Sequence, residues 1–164
     1  MRIHPLIISA VVLSACGALS RPLRNSHESP EALARAVLAA IEKRDAETLR
    51  ALALNRKEFA EHVWPELPAA RPERNLSPSF VWGDLNQKSN IMLRATLNAH
   101  GGKRYQLVSV HFQGETTEYE SYRVRRESEL TVTDANGTER KIRVFGSMIE
   151  RGGRYKVFSY VVDD

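Results

Sequence analysis

Four groups of residues in this chain have the type and spacing to do chemistry. Asp84 follows Trp82-Gly83, and a carboxyl beside an indole is a candidate general base, because apolar surroundings disfavour the charged form and raise the pKa. The same aspartate lies three residues before Gln87. It therefore also fits a helix N-cap in a capping box, which needs no chemistry and is the preferred reading. The second group lies in an extended stretch. Alternation along it puts Tyr122, Val124, Arg126, Ser128, Leu130 and Val132 on one face, which is the apolar and hence core-facing side. A cation in the middle of such a face needs a partner. That partner is an anionic ligand or an internal carboxylate such as Asp84, unless a β-bulge turns Arg126 outward. These alternatives stay open on sequence alone, and Arg126, Ser128 and Tyr122 are candidate pocket residues with Trp82 and Asp84.

Histidines form the third group. His27, His62, His100 and His111 are widely separated, with no H-x-x-x-H spacing to support a metal site. His100 precedes Gly101-Gly102, where a helix C-terminus favours a partly charged imidazole. His62, inside EFAEHVW, packs or caps. His111 alternates in phase with Tyr105, Leu107 and Ser109, a mixed face that fits either a cavity wall or a satisfied strand histidine. Trp64 and Trp82 read as core or cavity wall, since large aromatics bury much area.

The fourth candidate is Cys16, the only cysteine. It ends the stretch Leu13-Ser14-Ala15-Cys16, directly after the ten-residue, mainly apolar segment Leu6 to Ala15. Spanning a bilayer takes about 20 residues, so this run has the length of a secretory leader instead. LSAC resembles a bacterial lipobox, in which the cysteine thiol takes a diacylglyceryl group and the leader is cut before it. The alternative is a small buried cysteine behind an ordinary signal peptide. With Gly17 rather than an aspartate after the cysteine, the resemblance implies the outer membrane, facing the periplasm. Without another cysteine, the mature chain has no disulfide framework.

Composition narrows the partners. The formal net charge is +4, and losing Arg2 with the leader would make it 4 − 1 = +3. The second face of the Arg126 strand alternates Arg123, Arg125, Glu127 and Glu129, the pattern of a solvated surface with cross-strand pairs. That argues against a nucleic-acid platform. No phosphate loop, G-x-S-x-G elbow or zinc-helix motif is present, and no cofactor is expected.

The elements that must position these residues follow a helix-then-strand order. Residues 1–15 read as signal peptide, 16–28 as tether and 29–164 as one domain. Ser29-Pro30-Glu31 predicts a helix start, with Leu33, Val37, Leu38 and Ile41 on its apolar face. Asp45 predicts a second cap. Lys57 to Trp64 predicts a short helix stopped by Pro65 and Pro68. The long helix ending at His100 starts either at Ser77-Pro78 or at Asp84. Gly83, which costs about 1 kcal/mol inside a helix, favours a break there. Four strands are expected over Arg104 to Phe112, Tyr119 to Thr133, Glu139 to Ile149 and Tyr155 to Val162. Hairpin turns fall at Asp134–Gly137 and Arg151–Arg154. The class is α+β.

SPEALARAVLAAIEKRDAETLRAL (Ser29 to Leu52) and GGRYKVFSY (Gly152 to Tyr160) resemble the opening helix pair and terminal strand of the NTF2-like (nuclear transport factor 2-like, ketosteroid-isomerase-like) superfamily. The resemblance implies N-terminal helices packed on a curved, mainly antiparallel sheet of four to six strands, forming a cone with a cavity. Members include isomerases and dehydratases with a cavity aspartate or His–Asp pair, and binding modules without catalysis. No such pair aligns here.

The expectation is a lipid-anchored envelope protein with a non-catalytic binding or interaction domain, taking a small molecule or a protein partner. An isomerase- or dehydratase-type enzyme is the second reading. A structural subunit pairing through its sheet, as in a homodimer, is the third.

Overall fold

A computed structural model of the chain describes residues 22–162. Cys16, the leader and the first part of the expected tether lie outside the described residues. The class is α+β: helices precede two antiparallel sheets.

Helix α1 (Pro30–Glu42) starts where expected, with Ser29 Oγ accepting from the Ala32 amide at 3.1 Å. Helix α2 (Ala46–Leu52) is capped by Asp45, whose Oδ1 accepts from the Thr48 amide at 2.9 Å. The short α3 (Arg56–Glu58) continues through a π-helical turn, Phe59–Val63, and a 3-10 turn at Trp64–Glu66. Helix α4 runs unbroken over Pro78–His100, capped by Ser77. The expected break at Gly83 is absent, and Asp84 is therefore not a cap. The physical reason is continuous packing: Val81, Trp82 and Leu85 contact one apolar cluster and Leu93 another, which offsets one exposed glycine.

The strands are β1 (Tyr105–Phe112), β2 (Thr117–Glu118), β3 (Arg123–Arg125), β4 (Ser128–Asp134), β5 (Glu139–Ile142), β6 (Ser147–Arg151) and β7 (Arg154–Ser159). One sheet has the order β1-β4-β5 and the other β2-β3-β6-β7. The expected strand Tyr119 to Thr133 is thus broken at Arg126-Glu127, where Glu127 takes a left-handed φ of 55°. The expected strand Glu139 to Ile149 breaks at residues 143–146. The two breaks face each other: the Ser128 amide donates to the Gly146 carbonyl at 2.8 Å, joining the sheets. Glycine is required at 146 because a Cβ there would sit 1.5 Å from the Val161 carbonyl oxygen. The Arg151–Arg154 hairpin forms as expected, with Gly152 and Gly153 at φ 57° and 70°.

These breaks divide the apolar face read from Tyr122 to Val132. Leu130 and Val132 join α1, α2 and Leu93 in the first cluster, whereas Tyr122 and Val124 join Phe59, Val63 and Ile149 in the second. The β2-β3-β6-β7 sheet carries both clusters, with Met148 and Val157 in one and Ile149 and Phe158 in the other, as alternation requires.

Between helix and sheet lies a buried ion pair: Lys156 Nζ donates to Glu58 Oε2 at 2.8 Å, the side chains 1% and 8% exposed. Burial lowers the Lys156 pKa, and the Glu58 bond opposes that shift. Glu58 also accepts from the amides of Arg24 (2.7 Å) and Asn55 (3.2 Å). Part of the expected tether is therefore docked. Leu23 is buried in the second cluster, and His27 exchanges two 2.8 Å backbone bonds with Tyr155. A lone leucine and backbone pairing to a sheet edge leave no periodic signal.

Candidate functional site

Two open cavities flank the first half of α4 and share Leu85 and Phe158 as a common wall. Strand β7 is irregular at Phe158. Ser147 pairs with Ser159 and Met148 with Val157, leaving Phe158 as an extra residue opposite the step. Such a bulge shifts the facing of the residues that follow it, and Tyr160 joins Val157 in the first cluster.

The larger cavity has a volume of about 400 Å³. Phe59, Val81 and Val161 are among its apolar walls, and its charged residues are Asp84, Lys88 and Arg126. All three are exposed. Lys88 Nζ donates to Asp84 Oδ2 at 2.9 Å, an i, i+4 pair on one helix face. Arg126 Nε donates to Thr117 Oγ1 at 3.0 Å. Arg126 is thus turned outward by the strand break, the third of the alternatives open in the sequence. Asp84, solvated and paired, lacks the apolar surroundings that made it a candidate base.

The smaller cavity, of about 210 Å³, lies between α2, the start of α3 and α4. Trp82, Leu93, Phe158 and Tyr160 line its apolar part, and Arg50 and Arg56 stand among its polar residues with Asn55, Asn86, Ser89 and Asn90. No aspartate or glutamate lines it. Tyr160 is fixed from behind, its hydroxyl donating to the Leu49 carbonyl at 2.6 Å, and burial raises its pKa. Trp82 stacks obliquely on Phe59 at 5.3 Å between centroids.

The other candidates fall elsewhere. Ser128 is buried with its hydroxyl donating to the Phe145 carbonyl, so it clasps the two sheets and lines no cavity. Tyr122 is buried too. Its hydroxyl donates to the Val63 carbonyl at 3.3 Å, its ring stacks on Tyr119 at 4.4 Å, and burial raises its pKa. His111 is exposed, bonded to Ser109 Oγ at 2.9 Å. The expected phase failed there because β1 bulges at Val108: Leu107 pairs with Val132 and Ser109 with Thr131. The extra residue sends Tyr105 and Leu107 to the core and Ser109 and His111 outward.

His100 Nδ1 lies 3.0 Å from the Tyr105 hydroxyl. Burial, then Lys103, lowers its pKa, opposite to the direction expected at a helix C-terminus. Among the described residues, no cluster of His, Cys, Asp and Glu is arranged to hold a metal, and no helix is long and apolar enough to cross a membrane.

Of the six candidates, then, Trp82 lines the smaller cavity, Asp84 and Arg126 the larger, and three line neither. Arg50, Arg56 and Phe158 were missed. The Asn55-x-x-Glu58 capping box was legible and would have placed Arg56 at the first position of a helix. Nothing in the sequence marks the Phe158 bulge. Comparison with protein-family models, curated proteins and solved structures gave no match to this chain.

Proposed function

We propose that this chain is a lipid-anchored protein of the bacterial envelope, on the outer membrane facing the periplasm, whose domain binds a small molecule without transforming it. The observation that carries the binding reading is the smaller cavity: an apolar recess backed by both hydrophobic clusters and rimmed by polar side chains, the general make-up of a ligand site. The same reading takes the domain as NTF2-like. In support, an opening helix pair packs against antiparallel strands, and two sheets joined at Ser128 and Gly146 suit a sheet that curves around a helix.

For the anchor, the support is the LSAC sequence behind its short apolar run. The first described residue, Pro22, stands six positions after Cys16, so a lipid on Cys16 would hold the domain within about 20 Å of the bilayer. Mass spectrometry of the mature chain from membranes tests this: a diacylglyceryl Cys16 at the N-terminus is expected, lost in Cys16→Ala, and a free Cys16 thiol contradicts it. For the domain, Leu93→Trp fills the recess. It should abolish binding of small apolar ligands while leaving the chain folded, and unchanged binding would contradict the site.

A further inference from the structure

The hydrogen-bonding state of the smaller cavity says what kind of molecule it takes. Each of its side-chain acceptor oxygens already takes one bond. Asn55 Oδ1 accepts from the Glu58 amide at 3.0 Å, Asn86 Oδ1 from Asn90 Nδ2 at 3.1 Å, and Asn90 Oδ1 from Arg50 Nε at 3.4 Å. Ser89 Oγ accepts from the Tyr160 amide at 3.0 Å. Donors remain. Arg56 is in no ion pair among the described residues, and Arg50 has only its bond to Asn90. The Asn55 and Asn86 amide protons and the Ser89 hydroxyl proton are likewise left for a ligand or water. A ligand completing this rim supplies acceptors and negative charge, since hydrogen bonds from arginine to a carboxylate are charge-assisted and bidentate.

Volume sets the size of the apolar part. A cavity of about 150 Å³ holds one benzene ring. The 210 Å³ here therefore admits one ring or a short branched chain, with about 60 Å³ left, roughly two waters' worth, for a headgroup. The geometry points to a small monocarboxylate with a compact apolar body, its carboxylate on Arg50 and Arg56 and its body on Trp82 and Phe158. This inference rests on the binding reading of the same cavity and adds the chemical class. The larger cavity offers one arginine rather than two, Arg126, since its Lys88 already meets Asp84.

Benzoate and benzamide have the same shape and differ in charge, so they separate the class from the site. Calorimetry with the full chain in nanodiscs of neutral lipid is expected to give benzoate a Kd of about 1 mM or tighter, with benzamide at least about tenfold weaker. Arg50→Gln and Arg56→Gln, both at exposed positions, should each weaken benzoate several-fold and leave benzamide unchanged. Inorganic phosphate should not displace benzoate at equal concentration. Equal binding of benzoate and benzamide, insensitive to either arginine, overturns the carboxylate class while the binding reading stands. Displacement by phosphate overturns the apolar part of the claim. No binding of either compound up to about 10 mM overturns the site and with it the binding reading of this cavity.

Discussion

On one side of α4, Lys88 donates to Asp84, while Arg126, in no ion pair among the described residues, donates to the Thr117 hydroxyl, so one cation of the larger cavity is met by a carboxylate and one is not. On the other side Arg50 and Arg56 face no carboxylate in the cavity wall, and the amide and hydroxyl oxygens between them are already accepting bonds. The two cavities share Leu85 and Phe158 and differ in what is left over. A site is better recognised by groups whose partners are missing than by groups of reactive type. Asp84 has the reactive type, yet Lys88 answers it locally.

The largest expected effect removes the buried ion pair between α3 and β7. Glu58→Ala strands Lys156 in the interior and deletes the acceptor for the Arg24 and Asn55 amides, so it should cost about 3–5 kcal/mol in denaturant unfolding. The double variant with Lys156→Met should recover part of that loss, and an unchanged midpoint in Glu58→Ala would show the pair to be solvated. Gly146→Ala, driven against the Val161 backbone beside the larger cavity, should cost about 3 kcal/mol. It should disturb that cavity before the smaller one, a difference visible in amide exchange near Val161 against Leu54.

A weaker effect is set by pH. Burial lowers the pKa of His27, His62 and His100. The unfolded chain therefore binds more protons between the folded values and about 6.5. Their contribution to stability is complete above that value and is lost as pH falls through it. The melting temperature should drop from neutral pH to about pH 5, and His100→Gln should flatten the profile. A melting temperature that rises on acidification would contradict the lowered pKa of these half-buried histidines. Smallest of all is Arg126→Met. At an exposed position it should stay within about 0.5 kcal/mol of wild type and leave benzoate binding alone; a larger loss would mean that Arg126 belongs to a buried network.

The elements governed by local chemistry were legible in the sequence. Ser29 and Asp45 carry their own caps and Gly152-Gly153 its own turn, whereas the Ser77-Pro78 start competes with Asp84 and Gly83 favours the wrong one. The interruptions were not, because each depends on a distant partner. The breaks at Arg126-Glu127 and at Gly146 lie across from each other through the Ser128–Gly146 bond. The bulges at Val108 and Phe158 exist only relative to Thr131 and Ser147. Period-two reasoning carried Arg126 and His111 across these points with inverted facing, and Ser128 faces inward as read but onto the Phe145 carbonyl rather than a cavity, which is why the candidate pocket scattered. Arg56 and Asn55 were readable as helix-start residues, but their cavity forms only when α4 and the Phe158 bulge close on them.

The most direct test of the comparison is to watch the arginines themselves. Side-chain Nε–H resonances of the full chain in neutral nanodiscs, recorded while benzoate is added, distinguish the two sides of α4. The account predicts saturable shifts at Arg50 and Arg56, with the Trp82 indole following and Arg126 still. Shifts at Arg126 with Arg50 and Arg56 unmoved would contradict it.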